Sequence, residues 1–424
     1  MLNKMGKIGR QAARLLGRAP SDQRSAALER LAYHLENAPP EVLAVNTLDI
    51  SDGRQAGLSP AMIDRLMLNQ DRLAGMAADL RSVASMPDPL GEVFDQSVLP
   101  NGLRVHRQRV PIGVLGVIYE SRPNVTVDVA GLAIKTGNGA ILRGGSETLR
   151  SNQALIALVH RALEESGLPA DSVQLVDDPD RALVLELLQL HKYVDLIIPR
   201  GGAGLHAFCR EHSRIPVITG GIGICHLYVD YSADLAAALP LIYNAKVQRP
   251  TVCNALDTLL VHPAVAGHIL PAVVEHLQPA GVTFRADPAA AACLVQPGTN
   301  GDLLPGVSLA GSEDFDTEWL SLVLGLKVVD GLEEAIRHIA AHSTGHSDGI
   351  LTGDADSARR FVAEVDSAAV YVNASTRFTD GAQLGLGAEV AVSTQRLHAR
   401  GPMGLRELTS YKWVISGDYH IRAG

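Results

Sequence analysis

Along the first 85 or so residues, apolar positions recur at helical spacing. Ser25 to Glu36 puts Leu28, Leu31 and Leu35 on one stripe, and Ser59 stands where an N-cap belongs ahead of Met62, Leu66 and Met67. Met1 to Leu16 sets Lys4, Lys7, Arg10 and Arg14 among apolar residues and reads as an amphipathic helix. Pro87, Pro89 and Gly91 break the pattern. Leu103, Val105 and Val110 then alternate with Arg104, His106, Arg107 and Arg109, as in an amphipathic strand or hairpin arm.

From residue 110 the pattern changes to short β-rich runs separated by helical stretches. Val114–Tyr119, Ala140–Leu142, Val173–Val176, Leu196–Ile198 and Val217–Ile218 read as strands, with helices over Ser151–Glu165 and Ala182–Leu190. A second series, Leu227–Val229, Thr258–Val261, Leu322–Val329, Ile350–Leu351 and Val370–Val372, alternates with helices over Ala264–Leu277, Glu333–Ala341 and Ala355–Val365. Such alternation predicts two α/β units with mostly parallel sheets covered on both faces. The boundary between them is expected near Val229 to Tyr231, and the polar tail from His398 onward is long enough to dock away from its own unit.

The chain has 424 residues, 46% hydrophobic and 20% charged, which excludes disorder and is a soft prior for two or three domains. Aromatic residues make up only 4%, so aliphatic side chains carry the packing. With 37 Lys+Arg against 46 Asp+Glu the formal net charge is -9, the wrong sign for a binder held on nucleic acid by charge. No run reaches the roughly 18 to 20 unbroken apolar residues of a membrane span, and the N-terminus lacks a secretory pattern. The four cysteines, Cys209, Cys225, Cys253 and Cys293, form neither a Cys-x-x-Cys pair nor a zinc ligand set, so a reduced cytoplasmic chain without a metal is expected.

Four segments are candidates for chemistry. Cys253, in Gln248-Arg249-Pro250-Thr251-Val252-Cys253-Asn254, reads as a cysteine on a loop leading into a helix N-terminus, where the dipole and Lys246 or Arg249 favour a nucleophilic thiolate. The alternative is an inert packing cysteine. Gly137 to Glu147 is a short strand delivering Arg143 to a small-residue turn with Gly144, Ser146 and Glu147. It suits a ribose or phosphate, or is an ordinary strand-turn-helix junction. No G-x-G-x-x-G fingerprint follows a strand here. Gly201 and Gly202, after Leu196 to Arg200, lie at a strand's C-terminal end, where α/β folds bind ligands, and Gly220-Gly221-Ile222-Gly223 is a similar turn. Asn124, in the loop after Glu120-Ser121-Arg122-Pro123, offers an amide to a developing oxyanion. Finally, Asn373 to Glu389 is a polar, Gly-rich segment after a strand, with Arg377 able to pair with an anionic group; a surface loop is the plain alternative.

Taken in order, Val110-Pro111-Ile112-Gly113-Val114 running into Tyr119 to Thr126, Gly137 to Glu147, Gln248 to Asn254, Tyr371 to Phe378 and His398 to Gly404 resemble the aldehyde dehydrogenase superfamily over nearly the whole chain. The resemblance implies a nicotinamide-binding α/β domain at 1–100 and 112–228, a catalytic α/β domain at 229–394, and an oligomerisation β-arm at 101–111 and 395–424. It further implies a homodimer or homotetramer. By it, Cys253 is the nucleophile and Asn124 the oxyanion donor. Arg143, Gly144, Ser146, Glu147, Gly201, Gly202 and Glu318 bind NADPH or NADP, with Glu318 like the family's ribose-binding Glu. Arg122, Arg249 and Arg377 are the candidate cations for the substrate's phosphate and carboxylate.

One departure from the family pattern is informative. Hydrolytic members carry a water-activating Glu where this chain has Ile218, in Val217-Ile218-Thr219-Gly220-Gly221. A thioester that exchanges with phosphate needs no activated water. The missing carboxylate favours acyl-phosphate chemistry over carboxylate production, and the resemblance implies NADPH-dependent reduction of L-glutamyl 5-phosphate to L-glutamate 5-semialdehyde in the second step of proline biosynthesis. A coenzyme A-dependent acylating enzyme and a non-catalytic nucleotide-binding scaffold are the alternatives.

Overall fold

The computed structural model describes residues 1–220 and 222–422. The chain divides into two compact units, one made of 1–219, 385–391 and the residues from 402 onward, the other of 220–384 and 392–401.

The first unit opens with five helices, α1 (Leu2–Leu16), α2 (Ser21–Glu36), α3 (Pro40–Gln55), α4 (Pro60–Leu66) and α5 (Gln70–Ser85). Leu2, Gly6, Gly9, Ala13 and Leu16 form the buried stripe of α1, and Leu28, Leu31 and Leu35 that of α2. Ser59 caps α4 by accepting the Met62 amide. After the antiparallel pair β1 (Val93–Val98) and β2 (Arg104–Pro111) come β3 (Val114–Tyr119), α6 (Asn124–Lys135), β4 (Gly139–Arg143), α7 (Leu149–Glu165), β5 (Val173–Leu175), α8 (Ala182–Leu188), β6 (Leu196–Arg200) and α9 (Ala203–His212). The sheet is parallel in the order β5-β4-β3-β6. Val114, Val117, Ile141, Ile197 and Ile198 are fully buried, because helices cover both faces of the sheet. Two expectations change here. Val217 makes only an isolated bridge to Ile197, since Pro216 has no N–H with which to extend a ladder. Asn124 is the first residue of α6 rather than a loop residue, because Pro123 occupies its N-cap.

The second unit follows as β7 (Cys225–Val229), α10 (Leu235–Val247), β8 (Leu256–Val261), α11 (Pro263–Leu277), β9 (Thr283–Ala286), α12 (Pro288–Ala292), β10 (Val307–Leu309), β11 (Val323–Val328), α13 (Leu332–His342), β12 (Ser347–Leu351), α14 (Ala355–Glu364) and β13 (Ala369–Val372). Its seven strands are parallel in the order β10-β9-β11-β8-β7-β12-β13. Leu227, Leu259, Val261, Phe284, Leu326, Leu270 and Val273 make its core. Because β7 is hydrogen-bonded to both β8 and β12, the unit begins at 220, not at the 229 expected from the sequence.

The tail adds the short strands β14 (Val392–Ser393) and β15 (Gly401–Pro402) and then β16 (Thr409–Ser416), which pairs antiparallel with β2. The β1-β2-β16 sheet therefore draws in residues 93–98, which the sequence assigned to the cofactor domain, and residues from 402 onward group with the first unit. Ala423 and Gly424, the end of the expected arm, lie outside the described residues. Tyr411, Trp413 and Ile415 are exposed on this sheet, with the Arg107 guanidinium over the Tyr411 and Trp413 rings at 4.7 and 4.6 Å.

Candidate active site

Cys253 lies between the C-terminus of α10 and the start of β8. No helix begins after it, so the expected help from a helix N-terminus is absent: the helix that ends nearby presents the negative end of its dipole. What holds the loop is a set of contacts from distant segments of the second unit. The Cys253 carbonyl accepts the Cys225 thiol at 3.2 Å. Gly223 comes so close that a Cβ built on it would lie 1.5 Å from the same oxygen. The Asn254 carbonyl accepts Thr376 Oγ1 at 2.7 Å, and Asn254 Nδ2 donates to the Thr379 carbonyl at 2.9 Å. Arg377 donates through Nε to Gln248 Oε1 at 2.9 Å and through a terminal nitrogen to Asn254 Oδ1.

Charge in this loop is set mainly by burial. The Arg377 guanidinium is held below the usual arginine range by desolvation and then by Arg249, with Asp380 and the Cys253 sulfur acting in the opposite sense. Arg249 itself is exposed. Glu318 accepts the Gly223 amide on Oε1 at 2.8 Å, and burial pushes its carboxyl up to about 7. Among the described residues its second oxygen has no hydrogen-bond partner. Lys246 and Asp257, at the end of α10 and on β8, form a buried pair at 3.5 Å. Desolvation lowers the lysine and raises the aspartate to about 6. Gly221, in the glycine-rich turn before Gly223, lies outside the described residues.

In the first unit the candidates gather at the C-terminal ends of β3, β4 and β6. The order β5-β4-β3-β6 makes the crevice between β3 and β6 a topological switch point. There the exposed Glu120 accepts the Gly202 amide at 3.1 Å, and a Cβ on Gly201 would fall 2.3 Å from its carboxylate. Gly202 caps α9 with open space where a side chain would stand. Glu147 accepts both the amide and the hydroxyl of Ser121 at 2.8 Å, which holds Ser121 in the left-handed region at φ 47°. Gly144 is buried at the end of β4, and Ser146 is exposed at the start of the short turn after it. Arg143 is buried: its terminal nitrogens donate to the carbonyls of Gly144 and Pro179, and its Nε is buried without a partner. Asn124 Nδ2 donates to Asp128 Oδ2 at 2.9 Å. Burial raises that carboxyl to about 7 against the Asn124 hydrogen bond, with Asp79, Arg200 and Arg122 also acting on it.

Cys253, Arg377, Arg249 and Glu318 are thus neighbours through one loop network, while Arg143, Gly144, Ser146, Glu147, Gly201 and Gly202 line one sheet edge. Gly223, Gln248, Asn254, Thr376, Glu120 and Asp128 were not singled out as functional from the sequence. All but Asp128 stood inside a quoted motif or turn, and Asp128 gave no signal in the sequence. Among the described residues no group of three or more His, Cys, Asp or Glu side chains is arranged to hold a metal, and no helix is long and apolar enough to cross a membrane.

Residues 2–293 match the model of the aldehyde dehydrogenase family. The chain is 59% identical over 424 residues to a gamma-glutamyl phosphate reductase of Roseiflexus castenholzii, covering 100% of this chain and 99% of that one. Against the gamma-glutamyl phosphate reductase of Escherichia coli O1:K1 / APEC the identity is 56% over 423 residues, covering 100% of both. The crystal structure of gamma-glutamyl phosphate reductase from Thermotoga maritima superposes with a TM-score of 0.95 at 46% identity, again over 100% of both chains. The chain belongs to the aldehyde dehydrogenase family.

Proposed function

We propose that this chain reduces L-glutamyl 5-phosphate to L-glutamate 5-semialdehyde and phosphate, the second step of proline biosynthesis, using NADPH and a thioester on Cys253. The observation that carries this reading is full-length identity of 59% and 56% to enzymes named gamma-glutamyl phosphate reductase. It is supported by a half-buried cysteine in a loop braced by Arg377 and Asn254. Membership of the family carries use of a nicotinamide cofactor, and the edge of the first sheet fits one. The start of α9 is open at Gly202, its amide already taken by the Glu120 carboxylate, and the orphaned, buried Nε of Arg143 is a donor awaiting an acceptor. Gly144, Ser146, Glu147, Gly201 and Glu318 complete the proposed cofactor set.

In the proposed route the Cys253 thiolate forms a bond to the acyl carbon, and the carbon–oxygen bond to phosphate breaks with its electrons on the phosphate. When bound, the reduced nicotinamide supplies hydride to the resulting thioester. Cys253 then leaves as the thiolate, releasing the aldehyde. The Cys253 amide and the Asn124 side chain are the proposed donors to the acyl oxygen as it gains charge; such a donor is worth about 3 to 4 kcal/mol in other enzymes. Arg122, Arg249 and Arg377 are the proposed partners of phosphate and carboxylate. Ile218, buried and without an ionisable group, stands in sequence where hydrolytic relatives activate water, which favours return of the acyl group to phosphate. The exposed aromatic face of β1-β2-β16 supports assembly into a dimer or tetramer, and a cytoplasmic site suits the free thiol chemistry.

The test is oxidation of glutamate 5-semialdehyde in the reverse direction, with NADP and NAD side by side and with phosphate or coenzyme A as acceptor. NADP reduction that requires phosphate and falls on the order of 10³-fold or more in Cys253→Ala supports the mechanism. Retained activity in that variant refutes it.

A further inference from the structure

Glu318 and Gly223 stand 95 residues apart, on irregular stretches before β11 and before β7, and no local pattern relates them. The Gly223 amide nevertheless donates to Glu318 Oε1 at 2.8 Å. Gly223 packs directly on the Cys253 carbonyl, which is also gripped by the Cys225 thiol. The Cys253 peptide therefore rests on the 223–225 stretch at two points, and the carboxylate of a distant segment fixes that stretch at Gly223. The other oxygen of Glu318 has no hydrogen-bond partner among the described residues.

We infer that Glu318 is a positioning residue for Cys253: one carboxylate oxygen fixes the Gly223 backbone against the Cys253 peptide, while the other accepts from a cofactor hydroxyl, so that a single side chain couples cofactor recognition to the place of the thiol. This rests on Cys253 being the acyl-carrying nucleophile and adds to the proposed ribose contact a role that exists before any cofactor arrives. Gln at this position keeps an acceptor for the Gly223 amide, whereas Ala removes it. Asp retains the charge but withdraws it by one methylene.

The experiment is the rate of Cys253 alkylation by iodoacetamide in the cofactor-free, full-length protein, read by mass spectrometry of its peptide. Releasing the 223–225 stretch opens a half-buried thiol, so Glu318→Ala is expected to react at least about fivefold faster than wild type, with Glu318→Gln restored to within about twofold. Should the Ala variant fail to fold, Glu318→Asp decides, because it is expected to react as fast as Ala would. A wild-type rate in Ala or Asp overturns the inference, as does a Gln variant altered as much as Ala. If Cys253→Ala is inactive while these rates are unchanged, only the positioning role falls; if Cys253→Ala is active, the reductase mechanism falls first.

Discussion

Gly223→Ala adds one methyl group at the point where two loop backbones meet. The new Cβ would stand 1.5 Å from the Cys253 carbonyl oxygen, 2.5 Å from its carbon and 3.1 Å from its Cα. Ordinary contact begins at 3.4 Å, so the two segments must part by about 2 Å. All three obstructing atoms are main chain, which cannot rotate aside as the end of a side chain would. Conformation is not the obstacle, since Gly223 is not among the glycines in the left-handed region. Overpacking of this kind costs about 1 to 3 kcal/mol of stability, whereas displacing a reacting group by about 1 Å costs on the order of 100-fold in rate. At about 2.7 kcal/mol for 100-fold, the catalytic loss should therefore match the upper end of the loss of stability. Expected values are a fall of about 100-fold or more in kcat/KM for phosphate-dependent NADP reduction and a fall in Tm of roughly 2 to 12 °C. A Gly223→Ala enzyme within about threefold of wild type would refute the reasoning, because it would mean that the position of the Cys253 peptide is immaterial to the chemistry.

Three further outcomes follow from buried charge and exposed surface. Lys246→Met leaves Asp257 buried without its partner and should destabilise the protein by about 3 to 5 kcal/mol in urea unfolding, while the double change Lys246→Met with Asp257→Leu should recover most of that. Asp128 holds a proton in the folded protein up to about pH 7 that the unfolded chain releases near 3.8, so this group makes stability fall as pH rises between those values. Asp128→Asn should accordingly stabilise the protein by about 1 to 2 kcal/mol at pH 8 and by less at pH 5, and an equal gain at both would contradict the assignment. Trp413→Ser combined with Ile415→Ser should lower the molar mass measured by light scattering without loss of circular dichroism, provided the β1-β2-β16 face joins subunits.

Much of the fold was legible because strands covered on both faces become unbroken apolar runs. Val114–Tyr119 and Leu256–Val261 are buried throughout and were read, at least in part, directly from the sequence. The short strands β9 and β10 were missed, as Arg285 and Ser308 interrupt their hydrophobic pattern over only four and three residues. Helix α6 was not read from the sequence at all, since Pro123 reads as a breaker when it is in fact an N-cap. Cys253 and Arg377 were flagged by residue type. The contacts that brace them span 28 to 129 residues, as in Cys225 to Cys253 and Gln248 to Arg377, and leave no local periodicity to detect. The domain boundary shifted for the same reason: β7 belongs with strands that come later in the chain, and only pairing reveals that.

The bracing contacts also explain how such a loop can serve both halves of the proposed reaction. Cys225 and Gly223 meet the Cys253 carbonyl, Thr376 meets the Asn254 carbonyl, and Arg377 and Thr379 meet the Asn254 side chain. All of these fall on the peptide backbone or on the neighbouring residue. The sulfur can therefore pass from thiolate to thioester and back without any of them breaking. In the proposed route, a loop held this way keeps its amide aimed at the acyl oxygen through both rounds of charge development, so no reorganisation is spent at either barrier. Because these contacts do not run through the sulfur, acylation leaves them in place at the moment when the thioester most needs a fixed geometry.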